Sequence, residues 1–223
     1  MPSHPGSEIP LIAGRPVLDL VNTVSWRGDR TRADDHLQDA SDALTWAGRA
    51  GVLSPPELEQ LRPRLTVEPD AGAGMVRSLR RLRTVVAEAV LNPTPDALSA
   101  AQDVIRDALD HSSLRAETAP TGHGPAARPY RWEVTDLDEH TVHRRLALDL
   151  DALLTSATGR IGVCADEACQ WVFLDTSRAH NRQWCSSADC GNRHRVQRHY
   201  QRRHPRTGPA SSDRNDKTVG GRL

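Results

Sequence analysis

The sequence lacks the features of a chain that spans or crosses a membrane. Its 223 residues contain no apolar run near the roughly 18 residues that a bilayer-spanning helix needs. The first eight residues have neither the basic start nor the apolar stretch of a signal peptide. We therefore expect a cytoplasmic protein without a membrane partner.

Aromatic residues and catalytic motifs are also scarce. Aromatic side chains make up 4% of the chain, all hydrophobic residues 37%, and the mean hydropathy is −0.58. This composition predicts a modest core within one medium domain or two small ones. The chain has no Gly-x-Ser-x-Gly motif and no phosphate-binding loop, and its histidines are scattered. We therefore expect no enzyme activity and no catalytic residues.

Lysine is almost absent, because Lys217 is the single lysine among 29 basic residues. The formal net charge is zero, but residues 160–223 carry 12 basic and 6 acidic residues, a net +6, whereas residues 1–159 carry 17 and 23, a net −6. Arginine suits bidentate contacts with phosphate. The C-terminal part is therefore a candidate for nucleic-acid binding, and a general bias of the sequence toward arginine is the alternative.

Cysteine is rare and clustered. The four cysteines lie within 27 residues as two equally spaced pairs, Cys164-x4-Cys169 and Cys185-x4-Cys190. Two short turns that each offer two sulfurs are typical of a tetrahedral zinc site. We predict one structural Zn²⁺ bound by all four. A ligand role for His180 or His194, a catalytic zinc and two disulfides are the alternatives.

Apolar spacing predicts a mainly α-helical N-terminal domain with one small β-hairpin. Its longest helical pattern covers residues 73–91, and β-prone segments at 114–118 and 130–135 predict the hairpin. Arginines on the polar side of the long helix are interpreted as a solvated face: Arg77, Arg80, Arg81 and Arg83. The predicted organisation is a flexible lead (1–9), a mostly helical domain (10–158), a zinc finger (159–205) and a disordered tail (206–223).

The cysteine module is expected to be treble-clef-like, a β-hairpin followed by a helix, with a zinc ribbon as the alternative. A helix over residues 191–204 would be about 21 Å long, enough to lie in a major groove. One of its faces carries Val196 and Tyr200, which could pack back on Trp171 or Trp184. Three arginines share another face: Arg195, Arg198 and Arg202.

Residues 190–193 read Cys-Gly-Asn-Arg, preceded by Trp-Val-Phe-Leu-Asp-Thr-Ser at 171–177 and Arg-Gln-Trp-Cys at 182–185. This run resembles the CGNR zinc finger. Residues 14–23, Gly-Arg-Pro-Val-Leu-Asp-Leu-Val-Asn-Thr, are similar to the opening of the ABATE domain that commonly precedes that finger. The resemblance covers about residues 10–204. It implies a bacterial transcription regulator linked to stress responses, a finger that binds DNA, and zinc bound by the four cysteines.

Two polar residues interrupt the first, otherwise apolar helical pattern. Asp19 and Asn22 are three residues apart and share a helix face, and Arg27 follows. One hypothesis is a polar pocket in which these residues orient a small-molecule effector. The alternative is local capping and buried hydrogen bonding that fixes helix packing.

The sequence thus predicts a regulator with DNA as its partner and an N-terminal domain that senses a ligand or mediates homodimerisation. The candidate nucleic-acid contacts are Arg193, Arg195, Arg198 and Arg202. An RNA-binding module is one alternative, with Trp171, Phe173 and Tyr200 stacking on bases. A module whose arginines bind an acidic protein is the other.

Overall fold

The computed structural model describes residues 9–116, 130–155 and 159–203. The predicted disordered tail lies outside the described residues, and so does the predicted lead except for Ile9, which is buried. Within the described ranges the chain forms α1 (Pro16–Val21), α2 (Ala40–Arg49), α3 (Pro55–Val67), α4 (Pro69–Leu91), α5 (Pro95–Asp110), α6 (Thr141–Thr155) and α7 (Cys190–Arg203). The mainly α-helical prediction is confirmed.

Three antiparallel hairpins accompany these helices in the described ranges. They are β1 (Val24–Ser25) with β2 (Asp34–Asp35), β3 (Ser112–Ala116) with β4 (Tyr130–Val134), and β5 (Arg160–Val163) with β6 (Val172–Asp175). The β3–β4 pair is the hairpin predicted for the N-terminal domain. The β5–β6 pair followed by α7 gives the predicted treble-clef-like order. The β1–β2 pair was not predicted.

Local sequence signals explain where several helices begin. Four helices have proline in the first turn, where a missing backbone N–H costs little: Pro16, Pro55, Pro69 and Pro95. The side chain of Asp39 accepts the Asp42 N–H at the start of α2, and that of Thr94 accepts the Ala97 N–H at the start of α5.

One hydrophobic core runs through both halves of the chain. The short helix α1 is buried along its length and packs against α4, α6 and β6. Leu18 in α1, Leu79 in α4, Leu146 in α6 and Phe173 in β6 belong to the same buried cluster, each with no exposed surface. The core therefore continues across the predicted boundary between residues 158 and 159.

The solvated-face interpretation of the α4 arginines is wrong for two of the four. Arg83 donates two hydrogen bonds to the Asp35 carboxylate at 2.7 and 2.8 Å, and its side chain is 14% exposed. Arg80 pairs with the same carboxylate at 3.2 Å. Arg77 and Arg81 are exposed. Two of these arginines therefore hold the β1–β2 segment on α4.

Across the described residues, no helix is both long enough and apolar enough to cross a membrane.

Candidate metal centre and basic helix

The four cysteines converge on one point. Their sulfur atoms lie within 4.8 Å of one another and all four residues are buried. The Cys169 and Cys185 sulfurs are 3.7 Å apart, and the Cys185 and Cys190 sulfurs 3.5 Å. A tetrahedron with Zn–S bonds of 2.3 Å has edges of about 3.8 Å. The cluster therefore fits a single zinc ion, as the cysteine spacing predicted.

Two short turns present these ligands. The first closes where the Cys164 N–H donates to the Trp171 carbonyl at 2.8 Å, between β5 and β6. The Ala165 N–H donates to the Gln183 carbonyl, which holds the two turns together. Gly191 follows the last ligand, and a Cβ there would lie 3.2 Å from the Trp184 ring. This close approach explains the glycine after the last cysteine.

The four thiols lie too close together to ionise at the same time without a cation. Bonds to Cys169 and Cys185 lower the pKa of the Cys164 thiol to about 2. The hydrogen bond to Cys164 is also the main cause that raises the pKa of Cys169 and of Cys185. One thiolate is therefore favoured in the cluster, and each further thiolate is opposed by its neighbours. Four thiolates in this volume need a cation such as Zn²⁺ to offset their charge.

Arg193, the last residue of the Cys-Gly-Asn-Arg run, contacts the metal centre. Its Nη2 donates to the Cys190 sulfur at 2.9 Å, and its Nε donates to Asp166 at 2.9 Å. Its guanidinium also lies 4.7 Å from the centroid of the Trp26 ring. The side chain is 46% exposed, so Arg193 supports the metal ligands while part of it still reaches solvent.

Helix α7 projects from the finger with little packing. Its buried residues are Cys190 and Gly191, both in the first turn. Val196 is 60% exposed and Tyr200 is 64% exposed. This exposure contradicts packing of the two residues on the tryptophans, and the residue of α7 that contacts Trp184 is His194, with ring centroids 4.7 Å apart.

The remaining candidate arginines line the solvent side of α7. Arg195, Arg198 and Arg202 are exposed. Arg195 donates to the Ser187 carbonyl at 3.2 Å. No carboxylate of the described residues forms an ion pair with Arg198 or Arg202. Their positive charge is therefore not offset by any carboxylate in the described part of the chain.

Hydrogen bonds join the finger to the N-terminal region. Asn22 donates to the Val172 carbonyl at 2.9 Å and accepts the Val172 N–H at 2.8 Å. The Leu174 N–H donates to the Ala13 carbonyl, and the Trp171 indole donates to the Val24 carbonyl. We call the contact made by these bonds the seam. It fixes the direction of α7 relative to the helical domain.

The segment after α1 fits closely against the first cysteine turn. The Gly28 N–H donates to the Ala168 carbonyl, and a Cβ on Gly28 would lie 1.7 Å from the Glu167 carbonyl oxygen. Trp26 precedes it with a φ of 56°, a left-handed conformation that is uncommon for a large residue. This part of the seam was not predicted, because a lone glycine in a polar segment gives no signal of the backbone that it meets.

Asp19 and Asn22 are buried, and internal hydrogen bonds hold the Asp19 Oδ1 and both polar atoms of the Asn22 amide. Asp19 accepts the backbone N–H groups of Ile12 and Ala13 at 3.0 and 2.9 Å. Burial raises the pKa of the Asp19 carboxyl to about 6. Arg27 has a buried Nη1 without a hydrogen-bond partner in the described residues. These contacts correspond to the buried-hydrogen-bond alternative, and a ligand at the three residues stays a prediction.

A cavity of about 840 Å³ lies along the seam beside the metal centre. Trp26, Arg32 and His36 line it from the N-terminal side, and Arg193 and three of the four cysteines line it from the finger. The volume falls within the range of small-molecule sites. The three residues of the predicted pocket are not part of its wall.

Comparison with protein families covers both parts of the chain. Residues 160–203 match the model of the CGNR zinc finger. Residues 14–157 match the ABATE model, described as "Putative stress-induced transcription regulator". No curated protein matches the chain. Both resemblances, and their order along the chain, are therefore confirmed.

Proposed function

Because this chain belongs to the ABATE family and carries a CGNR zinc finger, we propose that it is a transcription regulator that binds duplex DNA through α7. The family description supports a role in stress responses. The observation that carries the proposal is a solvent-exposed arginine face on a helix whose contacts with the finger come mainly from its N-terminal residues, Cys190 to His194.

The charge of α7 supports phosphate contact. Six arginines lie between residues 193 and 206, and no acidic residue lies among them. Because α7 is polar nearly all round, burial of apolar surface contributes little to its stability. Contacts with a charged partner would stabilise it further. Duplex DNA offers phosphates for the arginines and a major groove wide enough for a helix.

We also propose that the zinc is structural and that the protein has no enzyme activity. Four thiols complete a tetrahedron, whereas a catalytic zinc keeps one position for water or substrate. The metal would instead hold the two cysteine turns together and so set the direction of α7.

The test is DNA binding by the zinc-loaded full chain, measured by fluorescence anisotropy over a range of salt concentrations. The slope of log affinity against log salt is negative, and each lost phosphate contact should make it less steep by about 1. We expect the double variant Arg198→Ala/Arg202→Ala to bind more weakly and to have a slope less steep by about 2. The matched control is Arg77→Ala/Arg81→Ala, which removes two exposed arginines of α4.

Three outcomes would reject the proposal: no binding to duplex DNA, affinity that is independent of salt, or equal losses in the two double variants. Competition with duplex RNA and single-stranded RNA of equal length addresses the RNA alternative. The structure weakens that alternative, because Trp171 is 9% exposed and Phe173 is fully buried, so neither offers a ring to a base.

For ligand sensing, we propose the seam cavity as the effector site. Its wall joins the N-terminal region to Arg193, so a ligand there would contact both sides of the seam. The test is a fragment screen by NMR with the indole N–H signals of Trp26 and Trp171 as reporters. We expect binding fragments to shift these signals in the wild type but not in Ala33→Trp, which adds a bulky ring to the cavity wall. A screen in which no fragment shifts either signal would reject the site.

A further inference from the structure

Arg193 lies where the two cysteine turns and the N-terminal region meet. Its Nε donates to the Asp166 carboxylate at 2.9 Å, and its Nη2 donates to the Cys190 sulfur at 2.9 Å. The Cζ atom of its guanidinium lies 4.7 Å from the centroid of the Trp26 ring. Asp166 belongs to the first cysteine turn, Cys190 is the last of the four cysteines, and Trp26 belongs to the segment after α1. One side chain therefore joins three segments that are separate in the sequence.

The Asp166 carboxylate holds this guanidinium in a fixed orientation. Its Oδ2 accepts the Arg193 Nε–H, while its Oδ1 accepts the Ala168 N–H at 3.1 Å. Because an arginine guanidinium is a planar fork, fixing Nε also fixes the direction in which Nη2 points. The first cysteine turn therefore orients the hydrogen bond that Arg193 donates to the Cys190 sulfur.

Hydrogen bonds to metal ligands affect how tightly the metal is held. Four thiolates around one Zn²⁺ leave a net negative charge, and a cation that donates to one of the sulfurs offsets part of it. Loss of a group that bonds to a metal ligand commonly costs about 10–100-fold in metal affinity. The contact between Arg193 and Cys190 is therefore expected to strengthen zinc binding.

The surroundings of Arg193 differ from those of the later arginines of α7. Arg198 and Arg202 form no ion pair with a carboxylate in the described ranges. Arg193 is paired with Asp166, and two of its nitrogen atoms already donate within the finger. Because a carboxylate and a sulfur ligand offset its charge, Arg193 has less to gain from a phosphate than Arg198 or Arg202.

We propose that Arg193 is a positioning residue, which holds the Cys190 sulfur against the first cysteine turn for zinc and ties both to Trp26, and that it is not a DNA contact. It acts on the metal through Cys190 and Asp166. Zinc affinity then depends on Trp26, a residue of the N-terminal region. This role requires the zinc site but does not rest on the proposed DNA binding.

The first test is the zinc affinity of the full chain, measured by competition with a chromophoric chelator. Arg193→Ala should weaken zinc binding by about 10–100-fold. Arg193→Lys keeps the charge but lacks the planar fork that donates to both partners, so its loss should be smaller. Arg198→Ala is the matched control on the same helix and should leave the zinc affinity unchanged.

Double-variant cycles identify the partners through which Arg193 acts. Asp166→Asn keeps an oxygen for the Ala168 N–H but removes the carboxylate charge, and Trp26→Leu removes the aromatic ring. Each should weaken zinc binding in the wild-type background, by about two- to fivefold for Trp26→Leu. Each should have little further effect in the Arg193→Ala background, because the interaction that it removes is already lost.

Cobalt(II) in place of zinc supplies a readout that a loss of stability would not move. A hydrogen bond to a thiolate lowers the energy of the sulfur lone pairs, so its removal shifts the sulfur-to-cobalt charge-transfer band to longer wavelength. We expect this shift in folded, cobalt-loaded Arg193→Ala and no shift in Arg198→Ala.

DNA binding separates positioning from phosphate contact. With zinc saturating, Arg193→Ala should keep the wild-type slope of log affinity against log salt, whereas Arg198→Ala should make the slope less steep by about 1. A wild-type chain that does not bind DNA would reject the proposed function, and the zinc and cobalt measurements would still decide the role of Arg193.

Circular dichroism establishes that each variant is folded. Unchanged zinc affinity in Arg193→Ala overturns the proposal, and so does an equal loss in Arg198→Ala. An unshifted cobalt band, losses that simply add in the two cycles, or a salt slope that Arg193→Ala makes less steep by about 1 would also overturn it.

Discussion

At the residue scale, Asn22 joins the two regions of the chain. Its amide exchanges two hydrogen bonds with Val172, and the pair is buried. Asn22→Ala would leave a buried N–H and a buried carbonyl of β6 without partners, at a cost of about 2–4 kcal/mol. Chemical denaturation measures the loss. Asn92→Ala, at an exposed asparagine, is the control and should change stability little; equal effects of the two variants would contradict this role.

His143 in α6 gives a pH-dependent prediction. Burial lowers its pKa from 6.5 to about 4 in the folded chain. Between these values the unfolded chain binds more protons, so protonation favours unfolding. Above about pH 6.5 the burial of neutral His143 does not reduce the free energy of unfolding. As the pH falls from 6.5 to 4, the free energy of unfolding decreases by up to roughly 3 kcal/mol.

The measurement compares wild type with His143→Gln, which cannot titrate. This comparison is needed because the raised pKa of Asp19 acts in the opposite direction, with stability present below its unfolded value of 3.8 and lost as the pH rises through about 6. We expect the wild type to lose stability relative to the variant between pH 6.5 and 4. A difference that does not change with pH would contradict the burial of a neutral His143.

Some residue roles were readable from the sequence and others were not. The equal spacing of the cysteine pairs predicted the metal cluster, because few other arrangements need four sulfurs so close together. Asp19 and Asn22 were conspicuous as polar residues in an apolar pattern. Their partners, the backbone of residues 12–13 and Val172, could not be predicted, since the second is 150 residues away along the chain.

At the element scale, the seam depends on the backbone at Gly28. A Cβ there would overlap the Glu167 carbonyl oxygen. We expect Gly28→Ala to force the segment away from the finger and to cost about 2–3 kcal/mol. Gly74→Ala is the matched control, because Gly74 lies inside α4 with the nearest atom 3.8 Å from its Cβ position.

In a helix interior, alanine is more stable than glycine by about 0.5–1 kcal/mol. Gly74→Ala should therefore stabilise the protein slightly, and the two glycine variants should differ in sign when unfolding is followed by urea denaturation. A Gly28→Ala variant as stable as wild type would show that the seam is looser than the structure has it.

The helices were predictable, but the shortest strands and the packing of α7 were not. Apolar spacing and proline starts mark α3, α4 and α5 in the sequence. The β1 and β2 strands have two residues each, which is too short for an alternating pattern. Periodicity also placed Val196 and Tyr200 on one face of α7, but it cannot say whether another element lies opposite that face.

At the scale of the whole molecule, one core supports two sequence families. The ABATE and CGNR matches meet between residues 157 and 160, yet α1 and β6 lie in the same buried cluster. Loss of zinc should therefore weaken the helical domain as well as the finger. We expect chelation to lower the thermal unfolding midpoint of the α-helical circular dichroism signal in one transition. Two separate transitions, with the second unchanged by chelation, would contradict a shared core.

We propose that zinc and the seam together direct α7 toward DNA. The most direct test is the affinity of the intact chain for duplex DNA at fixed salt, measured with zinc bound, after chelation and after zinc is restored. We predict a loss of at least about tenfold on chelation, because α7 starts at a metal ligand, and full recovery with zinc. Equal affinity in the zinc-loaded and zinc-free chain would contradict a role of zinc in directing α7.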